Sequence, residues 1–180
     1  NAYRLLDANS DVVAFYEQPL EINYIQNGTP LRHYPDTLVQ WQSHKEIWEI
    51  KPTSEAKKQE YIQRTQLLKS ALPDLGFRYE LILAEDLARL PRLHNALYLL
   101  KFGRNPVAPL AIEQLRKIIE ITGNISWSSI LNGPMGLKGR NLICRLVLEG
   151  SLIFDIDQKL SSETCFFWAS KNPKLATWRF

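Results

Sequence analysis

Two β-rich runs on either side of a short polar stretch constrain this chain more than any other feature. Residues 36–41 (Asp-Thr-Leu-Val-Gln-Trp) and 46–51 (Glu-Ile-Trp-Glu-Ile-Lys) carry the β-branched and aromatic residues of strands, with polar Gln42-Ser43-His44-Lys45 between them. The pattern predicts a β-hairpin. With Trp41 paired to Glu46, the register sets Leu38 opposite Glu49 and Asp36 opposite Lys51. Glu49 and Lys51 are two apart on one strand and share a face, while Trp48 and Ile50 point the other way, into a core. Asp36 is then a same-face neighbour of Lys51 and diagonal to Glu49. The backbones are about 7–8 Å apart, a gap one ion can bridge. Three charged groups on one short hairpin face are costly to hold together without solvent or a ligand.

Two carboxylates and an ammonium at this spacing suit a particular chemistry. Carboxylates are hard oxygen donors for Mg²⁺, which keeps several waters and takes few protein ligands; Mn²⁺ is the expected substitute. Water on such an ion can become a nucleophile, and the Lys51 ammonium is placed to orient it and to offset phosphate charge. The pattern therefore predicts a magnesium-dependent phosphodiesterase. An E-x-K triplet alone is common, and an exposed hairpin face whose charges merely pair would use the same residues. Tyr34-Pro35-Asp36 at hairpin distance upstream, with Pro52 closing the strand after Lys51, favours the metal site.

Composition narrows the remaining classes. A chain of 180 residues with 45% hydrophobic and 11% aromatic residues forms one generous domain or two small ones, and is not disordered. No apolar run approaches the roughly 20 residues of a membrane span, and no basic-then-apolar leader pattern opens the chain. Cys144 and Cys165 are the only cysteines, which predicts a reducing, cytoplasmic setting over a disulfide scaffold. With three scattered histidines they offer no zinc spacing. The formal charge of +3 is uneven: residues 1–105 carry 13 basic and 13 acidic side chains, residues 106–180 nine and six. That bias is mildly consistent with a nucleic-acid partner.

Along the chain, Asn1 to Leu6 read as the last turns of a helix whose beginning lies upstream, ended by Asn9-Ser10-Asp11. Val12–Gln18 and Leu20–Gln26 read as strands flanking Pro19, and Asn27-Gly28 as a hairpin turn. A long helix is expected over residues 55–72, N-capped by Ser54, with Tyr61, Ile62, Thr65, Leu68 and Leu72 along one side. Lys57, Lys58, Arg64 and Lys69 on it suit either a DNA backbone or plain solvent. Phe77–Leu83 returns as a strand, and Asn95–Phe102 is helical, giving an α/β sheet flanked by helices. Gly103-Arg104-Asn105-Pro106 is the expected boundary, dividing the chain into residues 1–105 and 106–180. Beyond it, Pro109–Thr122 is an amphipathic helix using Leu110, Leu115, Ile118 and Ile119 and stopped by Gly123. Ser126 caps a second helix ending at Asn132-Gly133-Pro134, and a third runs from about Lys138 to Glu149. Strands Leu152–Ile156 and Thr164–Ala169 follow. Three helices and then a β-hairpin is the order of a winged helix. Lys138, Asn141 and Arg145 share one face of its third helix and are the candidate nucleic-acid contacts, while Ile143, Leu146 and Val147 pack inward. His33, His44 and His94 carry no functional expectation.

Three strings together resemble a known family: Asp11-Val12-Val13-Ala14-Phe15-Tyr16-Glu17-Gln18-Pro19-Leu20, Arg32-His33-Tyr34-Pro35-Asp36-Thr37-Leu38-Val39, and Trp48-Glu49-Ile50-Lys51-Pro52. The chain is similar to TnsA, the endonuclease subunit of heteromeric bacterial transposases, and Asn95–Leu100 and the winged-helix tail stand where that pattern places them. The resemblance implies a restriction-endonuclease-like, PD-(D/E)xK nuclease domain that cuts the strand at the 5′ ends of a transposon. The partners it implies are transposon-end duplex DNA, the transposase TnsB acting at the 3′ ends, and the ATPase regulator TnsC, engaged by the carboxy-terminal region. On this basis Asp36 and Glu49 are metal ligands, the Ile50 carbonyl a further ligand, and Lys51 the catalytic lysine. The resemblance also implies another acidic site residue, on a helix ahead of these strands and before Asn1. The alternatives are a non-catalytic DNA- or partner-binding subunit with an incomplete nuclease site, and a PD-(D/E)xK repair or restriction nuclease.

Overall fold

The computed structural model describes residues 1–133 and 136–171; Pro134, expected at the end of the second C-terminal helix, and the end of the expected C-terminal domain lie outside them. The first helix, α1 (Ala2–Ala8), buries Leu5 and Leu6. It groups with the chain from Arg89 onward, while Asp11–Ala88 form a second compact unit.

The Asp11–Ala88 unit holds β1 (Val12–Glu17), β2 (Ile22–Gln26), β3 (Thr29–His33), β4 (Thr37–Trp41), β5 (Lys45–Lys51), α2 (Thr53–Ala56), α3 (Gln59–Ala71) and β6 (Arg78–Leu83). Its main sheet has the order β1-β4-β5-β6. The β1/β4 and β4/β5 pairs are antiparallel and β5/β6 is parallel, so the sheet is mixed. A parallel pair needs a crossover, and α3 supplies it. The central strand β5 is buried on both faces, through Ile47 on one and Trp48 on the other. Leu68 of α3 and the following Leu72 pack with Ile47 and Tyr79. The hairpin β2–β3 stands apart from the main sheet, and its Asn27-Gly28 turn has both φ angles positive, at 52° and 78°, as a type I′ turn requires.

Two local expectations are corrected. The helix expected over 55–72 is two helices: Lys58 is extended, with ψ 141°, and separates α2 from α3. Ser54 lies inside α2 and makes no capping bond; the carboxylate of Glu85 accepts instead from the Thr53 N–H at 3.0 and 3.1 Å. The β4–β5 register also differs. Thr37 pairs with Trp48, Leu38 with Ile47, Val39 with Glu46 and Gln40 with Lys45. The Trp41 N–H donates to the His44 carbonyl at 2.9 Å, so the turn needs only Gln42 and Ser43 between them. Tightening the turn by two residues slides the ladder by two. Because side chains alternate with period two, every residue keeps its face. One step beyond Thr37↔Trp48, Asp36 comes opposite Glu49, not Lys51.

The other unit contains α1, α4 (Arg92–Gly103), α5 (Pro109–Thr122), β7 (Ile125–Ser126), α6 (Trp127–Asn132), α7 (Gly136–Leu148), β8 (Leu152–Ile153) and β9 (Cys165–Trp168). β9 pairs antiparallel with both β7 and β8, giving the order β7-β9-β8. Leu115, Ile119, Ile130, Leu142, Ile143 and Phe166 form the centre of its core. Ser126 Oγ accepts from the Ser129 N–H at 3.2 Å and caps α6, and Gly123 ends α5 with φ 81°. On α5, Leu115 and Ile119 are buried as expected, but Leu110 and Ile118 are exposed. The division between units falls at Ser10/Asp11 and Ala88/Arg89, not at Gly103–Pro106. The reason is α4: it packs on α7 so closely that a Cβ on Gly103 would lie 2.7 Å from the backbone of Cys144.

Candidate functional site

The Asp36–Glu49–Lys51 cluster lies at one end of the β4–β5 pair. Glu49 and Lys51 alternate on β5 so that both point to the face covered by α3, and Asp36 precedes β4 on the same face. Asp36 Oδ2 accepts a hydrogen bond from the Ile50 N–H at 2.7 Å, which ties the aspartate to the Glu49-Ile50-Lys51 triplet. Lys51 Nζ lies 3.1 Å from Glu49 Oε1 and 3.7 Å from Asp36 Oδ2. The structure thus brings together all four residues expected at the site.

The cluster is not the open polar face expected of a hairpin surface. Glu49 is only 3% exposed, because α3 lies across that face of β5 and brings Arg64 with it. Arg64 Nη2 donates to Glu49 Oε1 at 2.8 Å, so Arg64 and Lys51 converge on one carboxylate oxygen. The other oxygen, Oε2, is buried and faces away from these two cations. Its neighbour is buried His33, whose Nε2 is 3.1 Å away at ion-pair distance. Tyr79 approaches His33 Nε2 at 3.4 Å from behind. Tyr61 completes the wall, its ring centroid 4.7 Å from the Arg64 guanidinium carbon and 5.8 Å from Lys51 Nζ.

These contacts set the charge states. Burial pushes the Glu49 carboxyl up, but the His33 imidazole and the Lys51 ammonium outweigh it and hold the group below the usual range. Burial likewise pushes Lys51 down, and Glu49 and then Asp36 more than reverse it. For Arg64 burial is again opposed by Glu49, and the guanidinium pKa is raised. The Tyr79 hydroxyl is pushed well up, first by burial and then by the Glu49 charge, and stays neutral. Glu49, Lys51 and Arg64 are therefore each held in the charged form by one another.

Three residues that the sequence reading left aside belong here: His33, Arg64 and Tyr79. Arg64, expected on a solvent or DNA-facing side of its helix, points into the site. Its signal was in the spacing, since Tyr61, Arg64 and Leu68 stand at i, i+3 and i+7 and lie on one helical stripe. Lys69 and Lys58, grouped with it in the sequence, pair outward with Glu80 at 2.6 Å and Glu55 at 3.9 Å. His44 belongs to the β4–β5 turn, where it bonds Glu46 at 2.7 Å and stacks on Trp41. His94 is exposed on the first turn of α4.

The candidate nucleic-acid contacts fall on α7. Lys138 is exposed. Asn141 is half-buried, with its Oδ1 inaccessible and unbonded among the described residues. Arg145 bonds Glu149 one turn later. Among the described residues no group of three or more His, Cys, Asp or Glu is arranged to hold a metal ion, and no helix is long and apolar enough to cross a membrane.

A mixed sheet flanked by helices, with two acids and a lysine gathered at the end of two adjacent strands, is compatible with a nuclease-like α/β fold. Residues 9–83 match the family described as TnsA-like endonuclease N terminal. A search of curated proteins finds no match.

Proposed function

We propose that the chain is a Mg²⁺-dependent DNA endonuclease of a transposase complex, cutting the strand at the 5′ ends of a transposon. The observation that carries this reading is Glu49: a buried carboxylate on the same face as Asp36 and beside Lys51. Two carboxylates held this close are costly without cations, and a hard cation is a fitting partner for the pair. Asp36, Glu49 and the Ile50 carbonyl would hold the ion, with water filling its remaining positions. When bound, it supplies a Lewis acid for a phosphoryl oxygen and a water of lowered pKa.

The chain's own residues do the rest. The Ile50 N–H fixes the Asp36 carboxylate by donating to Oδ2. Lys51, raised in pKa, keeps its proton and offers a cation to charge building on the phosphate. The walls from Tyr61, Tyr79 and α3 keep bulk water from Glu49, which strengthens each of these interactions.

The segment α5-β7-α6-α7-β8-β9 has the helix and strand order of a winged helix, and we assign it recruitment of the ATPase regulator TnsC. The half-burial of Asn141 and the neutralisation of Arg145 by Glu149 support protein docking over DNA reading on α7, with Lys138 as a secondary phosphate contact. TnsB would process the opposite strand.

The test is nicking of a transposon-end duplex with Mg²⁺ and the partner transposase. Asp36→Ala and Glu49→Gln abolish cleavage, and Mn²⁺ replaces Mg²⁺ in the unmodified protein. Lys51→Ala lowers the rate by roughly 10²–10³ while metal binding survives. Full nicking by Asp36→Ala and Glu49→Gln would show that the cut is made elsewhere.

A further inference from the structure

Glu49, read above as a metal ligand, already carries a guanidinium on its Oε1. Arg64 and Lys51 both contact its Oε1, at 2.8 and 3.1 Å, while His33 Nε2 lies 3.1 Å from its Oε2. The two cations are not equivalent. Lys51 is fixed to β5 next to both carboxylates. Arg64 reaches in from α3, on a long side chain whose guanidinium lies over the Tyr61 ring. Its Nε is buried and makes no hydrogen bond to the described residues, so this pose leaves one of its donors unsatisfied.

We propose that Arg64 is an internal counter-cation that holds Glu49 in the metal-free protein and must release it before a divalent ion binds. The proposal rests on the metal-site reading above and adds a device to it. A buried carboxylate without a partner is expensive, so a protein that meets its ion only part of the time needs a substitute charge. A guanidinium serves, because it is always charged and pairs well with carboxylate oxygens. The same contact then opposes the ion: whatever Arg64 contributes to the metal-free state is subtracted from metal affinity. Once displaced, Arg64 remains at the edge of the site as a cation available to a phosphate. Arg64 is thus a positioning residue, acting through Glu49.

A residue that merely props the carboxylate gives the opposite sign, because its removal leaves Glu49 misplaced and weakens metal binding. The experiment is titration of metal-free protein with Mn²⁺ by calorimetry at pH 8, with thermal unfolding measured with and without the ion. Arg64→Met binds Mn²⁺ about tenfold or more tightly than the unmodified protein. It is less stable without the ion and gains more from adding it. Arg64→Lys, which restores a cation, returns affinity toward the original value, and Lys69→Met, one helix face away, leaves it unchanged. In the unmodified protein the Arg64 side-chain NMR resonance, assigned by its loss in Arg64→Lys, shifts on saturation with Mg²⁺. That measurement does not depend on Arg64→Met folding.

Equal or weaker binding by Arg64→Met, or an unmoved Arg64 resonance, overturns the proposal when binding to the unmodified protein is abolished by Glu49→Gln. If the unmodified protein shows no Glu49-dependent binding at all, the metal-site reading fails and the proposal with it.

Discussion

Asp36 and Glu49 have the same proposed chemistry but very different surroundings, so truncating each has a different cost. Glu49→Ala removes a carboxylate that is 3% exposed and strands Arg64, at 2.8 Å, and Lys51, at 3.1 Å, without their main counter-charge. Removing one partner of a buried ion pair costs about 3–5 kcal/mol. Here the two cations are 18% and 21% exposed, so some water reaches them and the lower end, about 3 kcal/mol, applies. Asp36→Ala removes a carboxylate that is 36% exposed, with an ion pair to Lys51 at 3.7 Å and one hydrogen bond from the Ile50 N–H. A pair that exposed contributes little, and water can replace the acceptor, so the cost is about 1 kcal/mol. For a chain of this length each kcal/mol is about 2–4 °C, giving a fall of about 6–12 °C for Glu49→Ala and about 2–4 °C for Asp36→Ala. The assay is thermal or urea unfolding in the presence of a chelator. Adding Arg64→Met to Glu49→Ala removes the stranded guanidinium, and the double variant is at least as stable as Glu49→Ala alone. Equal losses for the two alanine variants, or a double variant weaker by the sum of both changes, would refute the account of Glu49 as a buried, counter-charged group.

Two further outcomes concern the other unit. Gly103→Ala places a methyl 2.7 Å from the Cys144 carbonyl carbon and oxygen and from Leu148 Cδ1, so α4 and α7 must separate; a loss of about 1–3 kcal/mol is expected in urea unfolding. Asp157 accepts two hydrogen bonds from Arg92, at 2.8 and 2.7 Å, which hold its carboxyl below the ordinary 3.8 despite partial burial. Its folded pKa is depressed, so the stability it adds is present above about pH 3.8 and is lost as pH falls through the lower folded value. Asp157→Asn should flatten that part of the acid unfolding curve, measured against the unmodified protein.

The face shared by Glu49 and Lys51 was legible because strand alternation depends only on counting by two. The register error left it intact: a four-residue turn was expected, a two-residue turn formed, and the shift of two moved Asp36 opposite Glu49 while keeping it on the same face. A slip of one would have turned the whole reading over. Helix ends were legible where one residue decides them, as with Ser126 at α6 and Gly123 after α5. Gly103 shows the limit. In sequence it begins a Gly-Arg-Asn-Pro stretch that reads as a linker, yet its missing Cβ is what lets α4 lie against α7, and only the crossing of two distant helices reveals that.

Burial of the site was the part least open to the sequence, and it changes what the site is. The hairpin alone presents Asp36, Glu49 and Lys51 to solvent, where paired charges contribute little and could be ornamental. With α3 laid over β5, the same three groups form a half-closed cluster with Arg64 and His33, and each charge must now be answered by another group. A basic residue on the apolar stripe of a helix that follows an acidic strand is the sequence trace of this arrangement. Tyr61-x-x-Arg64-x-x-x-Leu68 places a guanidinium where a core side chain belongs. A half-buried arginine on a core-facing stripe calls for an acid beside it, and Glu49 is the acid that β5 provides. The pairing of a strand carboxylate with a helix guanidinium thus follows from burial, and it leaves both oxygens of Glu49 engaged, Oε1 by Arg64 and Lys51 and Oε2 by His33.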